Sequence, residues 1–269
     1  MNRSECRAEL RKRMRDWYTP DVLAAAIVST AATTFTATLG EYYKKGKIVG
    51  IEDEEMLVRD VATNTVTVVR GWHGTTPATH VISTPVRIFN FFSDAELNSY
   101  INRAVKSLWP DVYGRDVDEQ ITLVSGTYKY EVPAEITDAL GVITDIERLT
   151  DDERGIPLPF EVWGEYIYFK YAPDAGARIK YIYPFPVPAA DDDDIATPDA
   201  SELVILEAQV STWEAVMCDR DKYERYVTSQ WADNASGYEI ESHVSSLKES
   251  ALDERDRLRM ARQSAWRWV

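Results

Sequence analysis

The spacing of apolar residues changes repeatedly along this chain of 269 residues, and this change constrains the fold most. Residues 3–17 and 93–108 have the three- and four-residue spacing of amphipathic helices, whereas residues 35–88 alternate as half-buried strands do. Residues 128–183 alternate again, and helical spacing returns from about residue 199 to residue 265. This order predicts an α+β fold in which helices and antiparallel strands occupy separate segments.

The helix that follows Phe92 has the clearest start and stop signals. Ser93 can cap its free N–H groups, Glu96 completes a capping box, and Pro110 ends it. A second long helix begins at Asp199 or Ser201. Because two amphipathic stripes need a common partner, we expect these helices to share a core that contains Leu97, Ile101, Leu206, Val210 and Trp213.

Two stretches have the pattern of antiparallel β-structure. Three short runs between residues 47 and 70 are separated by turn residues, so residues 35–88 are predicted to form a separable β-module. Farther along, the tyrosine-rich runs 165–171 and 178–183 flank a Pro-Asp-Ala-Gly turn. That arrangement predicts a β-hairpin in which the two runs pair with each other.

The predicted architecture is a helical bundle with a long C-terminal helix or arm, an inserted small β-module and a second antiparallel β-segment. The bundle, or helical body, is expected to combine helices from several parts of the chain. The predicted boundaries are 1–34 for the N-terminal helix of the body, 35–90 for the β-module, 91–118 for the next body helix, 119–190 for the antiparallel β-segment, 191–253 for the C-terminal body helices and 254–269 for a docking arm.

Charge is distributed unevenly along the chain. It has 45 acidic and 30 basic residues, which excludes a generally basic nucleic-acid binder. Residues 1–17 nevertheless carry six bases against three acids, and residues 254–269 carry five against two. The two basic ends are either solvated helical faces, or surfaces that dock onto an acidic partner or a neighbouring copy of the chain.

The last sixteen residues combine arginine with tryptophan, the residue types enriched at interface hot spots. We expect this arm to dock onto another protein and to be mobile without that partner. The alternative is a final helix that folds back onto its own body. The predicted docking residues are Arg255, Arg259, Arg262, Trp266, Trp268 and Val269.

Motifs for catalysis and cofactor binding are missing. The sequence has no GxxxxGK[ST] loop, no GxGxxG after a strand and no GxSxG elbow. His73 and His80 lack metal-ligand spacing and are predicted to be turn or surface residues, as is His243. Carboxylates could still assemble into a hydrolase site in space, which is the least favoured function. We therefore predict that the chain is not an enzyme and has no cofactor and no metal.

The cysteine content and the lengths of the apolar runs indicate the compartment in which the chain folds. Cys6 and Cys218 are too few for a disulfide framework, which favours a reduced, cytosolic folding environment. No apolar run reaches about 18 residues, and no signal peptide is recognisable, so no membrane contact is expected. The acidic run 191–194 lacks the ligand spacing of a calcium loop and is predicted to be a solvated linker.

The tyrosine-rich strands have two interpretations. The tyrosines pack against one another across strands, or they face solvent together and stack on sugars. The residues concerned are Tyr166, Tyr168, Tyr171, Tyr181 and Tyr183. The first interpretation is favoured, and the second leaves open a glycan-binding tail or baseplate component.

From Phe92 to about Leu206 the order of elements resembles the head–tail connector adaptor proteins of tailed bacteriophages. The resemblance is carried by the helix 92–110, the motif Gly-Thr-Tyr-Lys-Tyr-Glu-Val-Pro at 126–133, the strand 142–148, the tyrosine-rich hairpin 166–183 and the helix 198–217. Residues 48–58, 64–71 and 74–80 are similar to a small β-module of phage virion proteins. An insertion of this module would make the adaptor larger than the minimal all-helical type.

The resemblance implies a virion protein that is made in the host cytoplasm and located in the neck, between capsid and tail. It implies a twelvefold ring of identical copies beneath the portal protein, with the C-terminal arm reaching into the portal. The ring would extend the DNA channel and provide the platform for the next neck or tail protein. DNA would pass without specific binding, because an acidic wall repels phosphate.

Overall fold

The computed structural model describes residues 1–149, 155–171, 175–227 and 237–265. Within them the fold is mixed α+β, with three antiparallel sheets and six α-helices. The helices are α1 (Arg3–Met14), α2 (Asp94–Ser107), α3 (Ala134–Asp138), α4 (Ser201–Cys218), α5 (Arg220–Val227) and α6 (Gly237–Ala265).

The first sheet lies between α1 and α2 and curls into a small barrel. Its strands are β1 (Thr19–Val22), β2 (Thr34–Thr36), β3 (Ile48–Ile51), β4 (Glu54–Ala62), β5 (Thr65–Val69) and β6 (Pro85–Ile88), in the order β1-β6-β3-β4-β5-β2. The two edge strands meet where Leu23 bridges Ala37. The alternating apolar side chains, such as Val49, Met56 and Val66, fill the interior.

This barrel begins at Thr19, earlier than residue 35, where the sequence pattern places the start of the β-module. The difference arises because β1 and β2 are only three or four residues long and show little alternation. Thr19 pairs with Ile88, and the Asn90 side chain donates to the Trp17 carbonyl. The chain therefore enters and leaves the barrel at adjacent points, as an inserted domain does.

Helices α1, α2, α4 and α6 contribute to one apolar core. The Ser93–Glu96 capping box is confirmed, and Asn2 and Glu5 form a second one at α1. The prediction that Asp199 or Ser201 caps α4 is wrong, because its N-cap is Ala200 and no side chain caps it.

The structure places the five predicted core residues at different depths. Leu97, Ile101 and Trp213 are buried in the core, whereas Leu206 and Val210 are half-buried. Helix α4 contacts α1, α2, α5 and α6, so it is buried on more than one side. Its fully buried residues, which include Val204, Ile205 and Ala208, therefore extend beyond a single stripe.

The second β-region lies between α2 and α4 and contains two sheets. Its strands are β7 (Gly114–Asp118), β8 (Thr122–Leu123), β9 (Lys129–Glu131), β10 (Val142–Leu149), β11 (Gly155–Pro157), β12 (Phe160–Trp163), β13 (Tyr166–Phe169) and β14 (Ala175–Tyr183). One sheet has the order β11-β10-β14-β7, with β8 also on β14, and the other has the order β12-β13-β9.

The predicted hairpin between residues 165–171 and 178–183 is wrong. Strand β13 pairs with β12 and β9, whereas β14 pairs with β10, β7 and β8. Ile167 on β13 and Ile179 on β14 belong to the same apolar core, so the two strands bury side chains in one core although they do not pair with each other. Alternation reveals the buried face of a strand but not its partner.

Candidate functional site

The C-terminal helix α6 packs on the helical core for most of its length. Ile240, Val244, Ala251 and Leu258 are buried in that core together with residues of α2 and α4. Residues 254–262, predicted as part of a mobile docking arm, are thus a continuous part of a packed helix. The structure places this stretch against the body of its own chain, as the alternative interpretation of a folded-back final helix expected.

Arg255 is held by groups on α2, on the turn that follows α2 and on α4. Its Nη1 donates to the Ser107 carbonyl at 2.9 Å and to Asp111 Oδ2 at 3.2 Å, and its Nη2 pairs with Glu207. Because these acceptors come from the same chain, the guanidinium orients α6 on the body.

Arg262 is held in the same way, about two helical turns farther along. It donates to Asp199 Oδ2 at 3.3 Å and to Thr197 Oγ1 at 3.2 Å. Its guanidinium also lies over the rings of Tyr113 and Phe185, at 5.6 and 5.7 Å from their centroids. These contacts fix α6 against the segment that leads into α4.

Arg259 has a different environment. Its side chain is 53% exposed, and its nearest carboxylate, Asp111, is 4.0 Å away. Met260 beside it is 68% exposed. Of the described docking residues, Arg259 is therefore the one available to another protein. Trp266, Trp268 and Val269 lie outside the described residues.

A groove of about 470 Å³ runs between α2, α4 and α6. Val210, Ala251 and Leu252 give it an apolar lining, and Arg103 and Lys248 are at its edge. The carboxylate on its wall, Glu207, is bound by Arg255. Sequence reasoning did not find this groove, because a half-buried valine has the same periodicity as a core valine.

The basic residues of α1 are also paired within the chain. Arg3 and Arg7 bind the Asp191 carboxylate at 2.9 and 2.6 Å. The Arg7 hydrogen bond, supported by Arg3, lowers the pKa of Asp191 to about 2. The prediction of a wholly solvated acidic linker is therefore wrong at Asp191, which ties the linker to α1.

Asp94 joins the barrel to the helical core. This first residue of α2 receives Arg7 Nε at 3.1 Å, Arg11 Nη2 at 2.9 Å and Arg87 Nη1 at 2.5 Å. Arg87 belongs to strand β6 of the barrel, while Arg7 and Arg11 belong to α1. One carboxylate thus fixes the relative position of three elements.

Arg70, Gly71 and His80 surround the buried carboxylate of Glu54, the first residue of β4. Arg70 binds Glu54 with both Nε and Nη2 at 2.6 Å, and His80 Nε2 lies 2.9 Å from the same carboxylate. The prediction that His80 is a turn or surface residue is wrong, because its side chain is buried between Glu54 and Glu52. Its partners are more than 20 residues away in sequence, so no local signal identified them.

The five tyrosines of the glycan hypothesis do not share one surface. Tyr166 and Tyr168 lie on the outer face of the β12-β13-β9 sheet, where the Lys129 ammonium is 3.5 Å from the Tyr166 ring centroid. Tyr181 is buried, and Tyr183 packs on it at 5.9 Å between centroids. Tyr171 is exposed beyond the end of β13. Tyr181 and Tyr183 belong to the same strand, β14, so their contact runs along one strand and is not the predicted packing of tyrosines across strands.

Cys6 and His243 are the remaining candidates for catalysis or metal binding. Burial raises the pKa of the Cys6 thiol to about 12, so it is protonated at neutral pH. His243 packs edge-on against Trp213, at 5.6 Å between centroids. Across the described ranges no group of three or more His, Cys, Asp or Glu residues could hold a metal ion, and no described helix is long and apolar enough to cross a membrane.

Comparison with known proteins adds no family assignment. No protein-family model matches the chain, and no curated protein matches it either. A function must therefore be argued from the residues of the chain and their geometry.

Proposed function

We propose that this chain is a structural virion protein, a head–tail adaptor that forms a ring under the portal protein. In this role it extends the DNA channel and provides the platform for the next neck or tail protein. The order of α2, the second β-region and α4 supports the proposal, because it is the order on which the adaptor resemblance depends. Helices α1, α2, α4 and α6 would be the helical bundle of that adaptor, and the barrel an insertion into it.

The observation that carries the proposal is the placement of large, exposed apolar side chains on three separate parts of the chain. Val28 of the barrel is 83% exposed, Leu140 of the second β-region 75%, and Met260 of α6 68%. Exposed apolar surface marks contact with other molecules when it is contiguous, and exposed Leu140, Val142 and Val162 line one depression of the second β-region. A ring subunit between a portal and a tail protein needs separate surfaces for neighbours above, below and beside it.

The charge distribution fits a channel through which DNA slides. The chain has 45 acidic and 30 basic residues, so its net field repels phosphate. Several arginines of the two basic ends are bound by carboxylates of the same chain, as Arg7 is by Asp191 and Arg255 by Glu207. These cations are therefore less available for phosphate contacts than the sequence alone indicates.

Portal docking is proposed to use the outer side of α6. Arg255 and Arg262 orient the helix, and Arg259 with Met260 provides an exposed cation beside an exposed apolar side chain. Arginine next to apolar surface is a common composition of interface hot spots.

Binding to purified portal protein tests this role. The double variant Arg259→Glu/Met260→Asp should lose portal binding while its far-UV circular dichroism stays unchanged, because both side chains are exposed. The matched control is Arg220→Glu, which changes an exposed arginine on α5. Portal binding by the double variant that equals that of the control would contradict docking through α6.

A tail or baseplate component with a glycan-binding β-surface is the second candidate. The observation in its favour is that Trp163 and Tyr168 are both exposed at the β12-β13-β9 sheet, where rings are able to stack on sugars. Its test is a glycan array. Binding that is lost in Tyr168→Ala would favour this candidate over the adaptor, and the absence of glycan binding would remove it.

A further inference from the structure

The acidic hairpin formed by β12 and β13 carries an exposed tryptophan at its tip. Trp163 ends β12 and pairs with Tyr166, and the two-residue turn between them contains Gly164 at φ 61°, a conformation that glycine adopts easily. Trp163 is 68% exposed. An indole left in water at a rigid turn forgoes the burial that stabilises most tryptophans, so this tip is suited to insertion into another surface.

Carboxylates surround this tip. Glu161 accepts a hydrogen bond from the Trp163 indole at 3.3 Å, Glu131 lies beside Tyr166 in the strand register, and Glu165 is in the turn. All three glutamates are exposed. In the part of the chain that the structure describes, no Lys or Arg is within ion-pair distance of Glu131 or Glu165. The Lys129 ammonium lies over the Tyr166 ring on the same face, so three glutamates against one lysine leave this aromatic tip with a net negative charge.

The groove between α2, α4 and α6 has the opposite properties. Its lining of Val210, Ala251 and Leu252 is apolar, and its volume of about 470 Å³ is sufficient for an indole ring. Arg103 at its edge is exposed, and no described carboxylate lies within ion-pair distance of it. Lys248, on the facing helix, is also at this edge and reaches Glu214 at 2.8 Å.

A closed ring of identical copies needs a heterologous contact, in which two different surfaces of each copy meet. We propose that the Trp163 hairpin of one copy inserts into this groove of its neighbour, an inference that rests on the proposed ring. Trp163 would contact Val210 and Leu252, and Glu165 would face Arg103. The occupant is a second copy of this chain, because the exposed indole suits the apolar lining of the groove and the net negative tip would face the exposed Arg103.

Two single-surface variants test the contact in the full-length chain. Trp163→Ala removes the tip, and Arg103→Glu/Leu252→Glu removes the groove. Each should raise the concentration needed for assembly by about 30-fold or more, the effect of losing a hot spot. Tyr128→Ala, which truncates another exposed aromatic next to β9, is the matched control and should assemble as the original chain does. Sedimentation velocity, with and without purified portal protein, measures the assembled fraction.

Mixing the two variants gives a sharper result. Each copy then retains one intact surface, so an equimolar mixture should form a dimer and no ring. In addition, the exchange variant Arg103→Glu/Glu165→Arg should assemble better than Arg103→Glu alone, because the opposite charges are restored. A mixture that contains only monomers would overturn the contact. The same holds if the exchange variant assembles no better than Arg103→Glu alone.

The outcomes separate the contact from the ring. If the original chain forms rings and both single-surface variants still do, the contact is overturned and the adaptor proposal stands. If the original chain stays monomeric both alone and with portal, the ring and the contact are overturned together. If Trp163→Ala assembles normally but loses binding on a glycan array, the hairpin is a sugar-binding surface instead.

Discussion

Replacement of Glu54 by glutamine should destabilise the barrel strongly. The substitution keeps the size of the side chain but removes the charge that neutralises Arg70. The Glu54 carboxylate is fully buried and also accepts the backbone N–H groups of Gly71 and Ala78, at 3.2 and 3.0 Å. The loss therefore leaves a buried guanidinium without its counter-charge and weakens the anchoring of the loop after β5.

The expected cost follows from the burial of this pair. Removal of one partner from a buried ion pair typically costs about 3–5 kcal/mol, whereas an exposed pair contributes about 0–1 kcal/mol. Glu52 provides the matched control, because its carboxylate contacts His80 but is 59% exposed. Glu54→Gln should therefore be several kcal/mol less stable than Glu52→Gln, although both lose one carboxylate charge next to His80.

Hydrogen exchange of the β4 and β5 amides measures this difference where it arises. Protection there should fall much more in Glu54→Gln than in Glu52→Gln. The effect should also depend on pH. Burial opposes ionisation, but the Arg70 and Ala78 hydrogen bonds outweigh it and hold the pKa of Glu54 below its ordinary value of 4.5. The advantage of glutamate is thus complete above pH 4.5 and declines as the pH falls through the lower folded-state value. Equal protection in the two variants would refute the reasoning.

Three further predictions concern the helical core, the linker and the barrel. Trp213→Ala should lower the free energy of unfolding in urea by about 3–5 kcal/mol, whereas replacement of the exposed Leu252 by alanine should change it by at most about 0.5 kcal/mol. Equal urea midpoints for the two variants would contradict the burial of Trp213 in the core. Because Asp191 has a pKa of about 2, its contribution to stability is lost as the pH falls from 3.8 through that value. The free energy of unfolding should therefore depend less on pH in this range in Asp191→Asn than in the original chain. An unchanged pH dependence would contradict this prediction. Excision of residues 19–88 with a short linker should leave a helical body by circular dichroism, and an unfolded product would show that the barrel is integral.

Local signals predicted much of the fold. The Ser93 capping box, the stripe of α2 and the short strands β3, β4 and β5 depend on residues close together in sequence, and the structure contains all of them. Strand partners depend on contacts far apart in sequence. The separation of β13 and β14 into two sheets could therefore not be predicted from the sequence, because alternation identifies the buried face of each strand but not its neighbour.

The candidate site was harder to predict for a related reason. The arginines at 255, 259 and 262 have the same residue type and similar spacing, yet two are bound to the body and one faces solvent. Composition indicated that this stretch binds something, but it could not distinguish a partner chain from the same chain. The groove at Val210 was missed because it is formed by three helices whose residues are distant in sequence.

The most direct test of the adaptor proposal is an averaged electron micrograph of the purified chain mixed with its portal protein. We expect a closed ring of copies, coaxial with the portal and with an open central channel. In that ring, the Trp163 hairpin of each copy should lie against helices α2, α4 and α6 of the next. Portal particles with no added density, or single copies bound without a ring, would contradict the adaptor proposal.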